Sequence, residues 1–317
     1  MTEDSLLESK SRTQSRSDEP GSWGGSLLSN LLFVMSLGVA AWVFLPRLGI
    51  SLSVPNLQSD SQYRLTASEI EITPPPRWVP QDLVEQVVRQ AKLPSELSLL
   101  EPDLSQRLGV AFEQHPWIKR CVRVQTAVPA RIQVSLEYRQ PVAVVRTNSG
   151  MFPVDADSVL LPSADFAPAS VAKLPMIDGV QSKPRGQAGD SWGDLGVLGA
   201  TQLANLLQPH WAEFGFRSIH VTAPAGGQLA KDRRLAWDQL RYRISTPGGS
   251  QVIWGRPPGS RHPGELTTDK KLGRIEFYLR HHGSFDSSHG PSEYDLTRWK
   301  DISRKPLADR NAERRKH

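Results

Sequence analysis

The sequence predicts an α+β protein: a single transmembrane helix, then a β-α-α-β-β domain and a second β-rich domain with helices. Three observations lead there. Between Arg131 and Arg139 apolar and polar residues alternate without error, Ile132, Val134, Leu136 and Tyr138 taking one face, which is the period of a half-buried strand. Upstream, two segments space their apolar residues at helical intervals. Nearer the N-terminus, Leu27 to Leu45 runs 19 residues without a charge, about the length that crosses roughly 30 Å of hydrocarbon.

Composition bounds the rest. A chain of 317 residues has room for about two domains. Its 25 prolines and 24 glycines favour strands and turns over a helical bundle. Cys121 is the single cysteine, which excludes an intrachain disulfide and an all-cysteine metal site and reads as a small packed residue. The net charge is +5, and from Arg298 onward eight Lys and Arg face three Asp and Glu, so the C-terminus is basic.

In chain order, residues 1–26 are Ser-, Gly- and charge-rich, with too little apolar surface to offset the entropy of ordering, and are expected to be disordered. Residues 27–45 are the expected transmembrane helix, with Trp23 and Trp42 near its ends and Pro46-Arg47 stopping it. A cleaved signal peptide would need a shorter apolar core and a small-x-small site, which FLPRLGISL does not supply. A buried globular helix is the other alternative. Lys10, Arg12 and Arg16 before the span are matched by Arg47, Arg64 and Arg77 after it, so charge does not set orientation. A Ser- and Gln-rich linker over 46–66 follows.

The first domain is expected over 67–141. Ile70 and Ile72 alternate with Glu69, Glu71 and Thr73 as a short strand ended by Pro74-Pro75-Pro76. Leu83, Val84, Val87, Val88 and Ala91 lay one apolar stripe along a helix, and Leu104, Leu108, Ala111 and Phe112 lay another, starting at Asp103 and ending before Pro116. Val122 and Val124 then form a strand joined through Pro129 to the alternating strand, a β-hairpin. Trp117 reads as an anchor that packs the end of the second helix on the sheet. Pro141 reads as the breaker that turns the chain into the next domain.

The second domain is expected over 142–303, with strands at Val142–Val145, Met151–Val154, Val159–Leu161, Phe216–Val221, Leu240–Ile244 and Gln251–Gly255, and helices around Leu198–Leu207 and Thr267–Leu279, the latter with Leu272, Ile275 and Leu279 on one face and Lys270, Lys271 and Arg274 off it. Three local patterns invite chemistry. Asp155 and Asp157 begin like a calcium loop, but the glycine at the sixth position and the glutamate at the twelfth are missing, which leaves a turn. Gly189-Asp190-Ser191-Trp192-Gly193 matches G-x-S-x-G, yet no hydrophobic strand enters it. His281, His282 and His289 sit among glycines and serines with no carboxylate at ligand spacing. No catalytic, cofactor-binding or metal-ligating residue is therefore expected. The tail over 304–317 lacks an aromatic platform for nucleic acid and reads as a solubilising end.

Element order and motif together resemble the polypeptide-transport-associated (POTRA) domain of the FtsQ/DivIB family of bacterial cell-division proteins. The residues that carry this are Pro116-Trp117-Ile118, Val122-Arg123-Val124, Pro129, and Glu137 through Pro141-Val142-Ala143. Leu174-Pro175-Met176-Ile177-Asp178-Gly179 and Asp295-Leu296 extend the resemblance, with the arginine and aromatic of the last step displaced by one, at Arg298 and Trp299.

The resemblance implies a non-enzymatic, single-pass protein of the inner (plasma) membrane, N-terminus cytoplasmic and bulk of the chain periplasmic. It also implies that the protein links septation components without cofactor, nucleic acid or small-molecule substrate. It places the partner site on the last strand, at Tyr294, Asp295, Leu296, Thr297, Arg298 and Trp299. There a single-pass FtsB/FtsL-like (DivIC/FtsL-like) protein would add a strand. A POTRA-type polypeptide receptor in translocation or outer-membrane assembly is the alternative reading, and a membrane-anchored hydrolase using Ser191 a third.

Overall fold

The computed structural model of the chain describes residues 24–44, 60–222, 231 and 233–307. They fall in two units, residues 1–56 and 57–317. The first contains α1, Gly24–Phe44, whose side chains from Leu31 to Ala40 are exposed. Among the described residues no helix is long and apolar enough to cross a membrane. This corrects the expected transmembrane helix over 27–45. A crossing needs about 20 predominantly apolar residues, and the run in α1 is broken by Ser29-Asn30 and again by Ser36. The expected disordered tail, but for 24–26, lies outside the described residues, as do 308–317 of the basic tail and most of the linker.

The described end of that linker, residues 60–66, is already folded and belongs to the second unit. That unit holds β1 (Arg64–Thr66), β2 (Glu71–Ile72), α2 (Leu83–Gln90), β3 (Glu96–Ser98), α3 (Leu104–Glu113), β4 (Ile118–Ala127) and β5 (Arg131–Tyr138). β5 pairs antiparallel with β4 and parallel with β2, and β1 and β3 form a separate antiparallel pair. The burial of β5 follows its alternation: Ile132, Val134 and Leu136 are buried, while Arg131, Gln133 and Glu137 are exposed. Against that face pack Leu83 and Val87 of α2 and Leu104, Leu108 and Phe112 of α3, giving one hydrophobic cluster.

The remaining elements are β6 (Ala143–Thr147), β7 (Gly150–Val154), α4 (Pro168–Val171), β8 (Met176–Asp178), α5 (Leu195–Leu207), β9 (Ser218–Thr222), α6 (Arg233–Gln239), β10 (Arg241–Ser245), β11 (Gln251–Gly255), α7 (Thr268–His282), β12 (Ser292–Asp295) and β13 (Ser303–Pro306). Their strands build one eight-stranded sheet in the order β13-β12-β11-β10-β9-β8-β6-β7. Three neighbouring pairs are parallel: β6 with β8, β8 with β9, and β11 with β12.

Parallel neighbours need a crossover, and α5 and α7 are the crossovers of the last two pairs. The architecture is thus a mixed α/β one with helices interleaved among strands, where an α+β segregation was expected. Val159–Leu161, expected as a strand, makes only isolated bridges, Val154 to Leu160 and Val159 to Ser191.

Local chemistry fixes both crossover helices. Asp194 caps α5 by accepting from the Gly196 and Val197 N–H groups. The Tyr242 hydroxyl donates to the Gly196 carbonyl at 3.0 Å. A Cβ on Gly199 would lie 2.1 Å from that hydroxyl, so only glycine lets α5 approach β10 this closely. Gly283, at φ 74°, ends α7 and donates its N–H to Leu279. Trp192, Leu203, Ile219, Tyr242, Ile244, Trp254, Ile275 and Tyr294 belong to the second hydrophobic cluster.

Candidate docking edge

The sequence-expected partner site divides by burial. Tyr294 and Leu296 are fully buried. The Tyr294 ring lies 5.1 Å from Tyr278 and 5.0 Å from Phe285, and its hydroxyl donates to the Phe285 carbonyl at 2.8 Å. Burial, with Tyr294 beside it, pushes the Tyr278 hydroxyl up to about 12.

Asp295 is a turn-former. Its carboxylate accepts from the Thr297 N–H at 2.9 Å, the Thr297 hydroxyl at 2.6 Å and Arg298 Nε at 3.1 Å. Burial works to raise that carboxyl, and these donors outweigh it and hold it below the usual carboxylate range. Arg298 and Trp299 are exposed, Trp299 by 67%.

The strand carrying Tyr294 and Asp295 is not an edge. β12 lies between β11 and β13, so on this side the edge of the sheet among the described residues belongs to β13, in residues assigned from sequence to the end of the domain and the basic tail. Its phase is set by the Leu307 N–H, which donates to the Pro291 carbonyl at 2.9 Å. With Pro306 opposite Ser292 and Lys305 opposite Glu293, the backbone groups of Ser303 and Lys305 turn toward β12, and those of Arg304 and Pro306 turn outward. Since Pro306 has no N–H, Arg304 is the outward donor of β13.

Beside this edge α7 and the β12–β13 connection enclose a groove of about 670 Å³, lined by Lys270, Phe277, Tyr278, Trp299, Lys300 and Arg304 among others. Among the described residues of its lining Asp301 is the one acidic side chain, against Lys270, Arg274, Lys300 and Arg304. The Arg304 guanidinium lies 6.0 Å from the Tyr294 ring centre. An open backbone edge, aromatic walls and excess positive charge suit an acidic, aromatic-bearing extended segment. Sequence reasoning missed Phe277, Tyr278 and Arg304. The signal was the spacing of Lys270, Arg274 and Phe277 at i, i+4 and i+7, which puts them on one side of α7.

Lys271 was expected off the apolar face of α7 with Lys270 and Arg274. It is buried instead, its ammonium paired with Glu265 and 4.8 Å from the Trp254 ring centre.

Of the expected structural anchors, Pro116, Trp117 and Pro141 sit where the two halves of the second unit meet, and Pro129 and Glu137 belong to the β4–β5 hairpin. Trp117 is fully buried, packs its ring in a tilted arrangement 5.6 Å from that of Phe166 and donates Nε1–H to Asp165 at 2.7 Å. Pro116 packs near Gly189, whose added Cβ would lie 3.5 Å from it. Pro129 turns the β4–β5 hairpin, Glu137 pairs with Arg120 at 2.6 Å across it, and Pro141 is buried just before β6.

Asp155 confirms the turn: one carboxylate oxygen accepts from the Asp157 and Val159 N–H groups, while the other receives Arg139 at 2.8 Å. Among the described residues no cluster of three or more His, Cys, Asp or Glu is placed to hold a metal. Ser191 is exposed in a loop, its hydroxyl 3.5 Å from that of Ser158. His281 and His282 pack in tilted ring contacts against Phe277 and Tyr278, one turn earlier on α7. No protein-family model matches the chain, and no curated protein matches it by sequence.

Proposed function

We propose that this chain is a non-enzymatic scaffold of bacterial cell division of the FtsQ/DivIB kind, acting outside the cytoplasm and binding an FtsB/FtsL-like (DivIC/FtsL-like) partner by strand addition. The observation that carries the reading is the edge of β13, unpaired among the described residues, beside a basic, aromatic groove. Backbone pairing supplies affinity in such a mode, and side-chain pockets supply selectivity. The three-stranded sheet β2-β5-β4 with α2 and α3 packed on it, and Trp117 and Pro129 in place, supports the same kinship, while β3, between the two helices, pairs outside that sheet with β1. The expected site moves with the edge: Tyr294 and Leu296 hold the sheet, and β13 with Trp299 meets the partner.

Site-specific photocrosslinking in the source organism tests this. Benzoylphenylalanine at Trp299 or Lys305 is expected to capture a small coiled-coil division protein. The same group at Met151, exposed on the opposite edge strand β7, is expected to capture none of it. Equal capture from both edges, or capture of transiting unfolded polypeptides at Lys305, would replace the scaffold reading.

A further inference from the structure

The connection from β12 to β13 has no secondary structure between Leu296 and Ile302, yet it must hold a defined path for β13 to reach its register. One side chain spans it. Arg274, on α7, turns its guanidinium into this connection: Nη1 donates to the carbonyls of Leu296 (3.2 Å) and Arg298, and Nη2 to those of Trp299 (2.7 Å) and Lys300 (3.3 Å). Four carbonyls within five consecutive residues thus converge on one planar fork. Asp295 adds the local turn by accepting from Thr297 and Arg298.

We infer that Arg274 is the positioning residue of the docking edge: it orders the β12–β13 connection and thereby sets the path and register of β13. Its functional consequence rests on the strand-addition reading, but the ordering role does not. Ordering a loop costs backbone entropy, which several charge-assisted hydrogen bonds from a single rigid group offset. Lysine, a point charge on a flexible stem, cannot reproduce a fork. Arg274 makes no ion pair among the described residues, so its charge also remains in the groove. Charge and fork therefore separate in Arg274→Lys, which keeps the first and loses the second.

The experiment is hydrogen exchange of the full chain, without partner, on the parent, Arg274→Lys and Arg274→Ala. Both variants are expected to exchange the Ser303 and Lys305 amides at least about tenfold faster, with the β10–β11 amides unchanged as the control for intact folding. Should Arg274→Ala fail to fold, Arg274→Lys, which retains the aliphatic stem, carries the test. Unchanged protection in Arg274→Lys would overturn the inference. Photocrosslinking at Lys305 is run alongside. Faster exchange with reduced crosslinking in Arg274→Lys supports the full proposal. Faster exchange with no crosslinking even in the parent upholds the positioning role and removes the strand-addition reading alone.

Discussion

Glu265→Gln is expected to destabilise the eight-stranded half strongly. Glu265 and Lys271 are almost completely buried, their side chains 6% and 2% exposed, with Arg256 alongside at 16%. One Glu265 oxygen receives the Lys271 ammonium and the Arg256 N–H at 3.2 Å, and the other receives the Arg256 guanidinium at 3.0 Å. Glutamine keeps an acceptor but removes the charge, stranding two cations in the interior, a loss of about 3–5 kcal/mol. Lys271→Met removes the cation with the larger desolvation cost and leaves Glu265 paired with Arg256, so about 1 kcal/mol is expected.

The pH dependence has a definite sign. Burial works to raise the Glu265 carboxyl, and its bonds to Lys271 and Arg256 outweigh this and hold it below 4.5. Its contribution is therefore present above 4.5 and lost as pH falls through the folded value, so the gap between parent and Glu265→Gln narrows in acid. Burial holds Lys271 below its ordinary 10.5, so over that interval stability rises with pH. Urea unfolding followed by tryptophan fluorescence measures both. A loss under about 1 kcal/mol for Glu265→Gln, or a larger one for Lys271→Met, would refute the reasoning.

Three further expectations concern the junction of the two halves. Asp155→Asn leaves Arg139 without its carboxylate in a site where the two side chains are 15% and 4% exposed, and is expected to cost about 2–3 kcal/mol in urea unfolding. Trp117→Phe keeps the ring contact with Phe166 but loses the bond to Asp165, a cost of about 1–2 kcal/mol by the same assay. Burial holds His115 below its ordinary 6.5, against the pull of Asp165 and Asp82. Stability is therefore expected to fall as pH drops below 6.5 toward the folded value, and His115→Gln is expected to flatten that slope.

How much of this was legible depended on the range of the interactions. The alternation of β5 and the stripes of α2 and α3 were readable because each element shows one face to one core, and periodicity reports that directly. β1, β3 and β8 have three residues each, too short to show a period. The interleaving of α5 and α7 depends on parallel pairing between strands far apart in sequence, which local pattern does not encode. The docking edge was displaced for a related reason. Ser303–Pro306 is mostly exposed and without alternation, so it reads as tail, and only its pairing with β12 makes it a strand. Lys271 reads as a surface lysine because its partner Glu265 precedes the helix rather than sharing a helical face with it.

The most direct test of strand addition at β13 compares Arg304→Pro with Arg304→Ala. Proline removes the outward N–H of the edge and leaves the pairing with β12 untouched, because Arg304 turns its backbone away from β12. Alanine removes the side chain and keeps the N–H. Measured as the yield of partner captured by benzoylphenylalanine at Lys305, Arg304→Pro is expected to fall at least about tenfold and Arg304→Ala to stay within about threefold of the parent. Equal yields from the two variants would contradict pairing through the backbone of this edge.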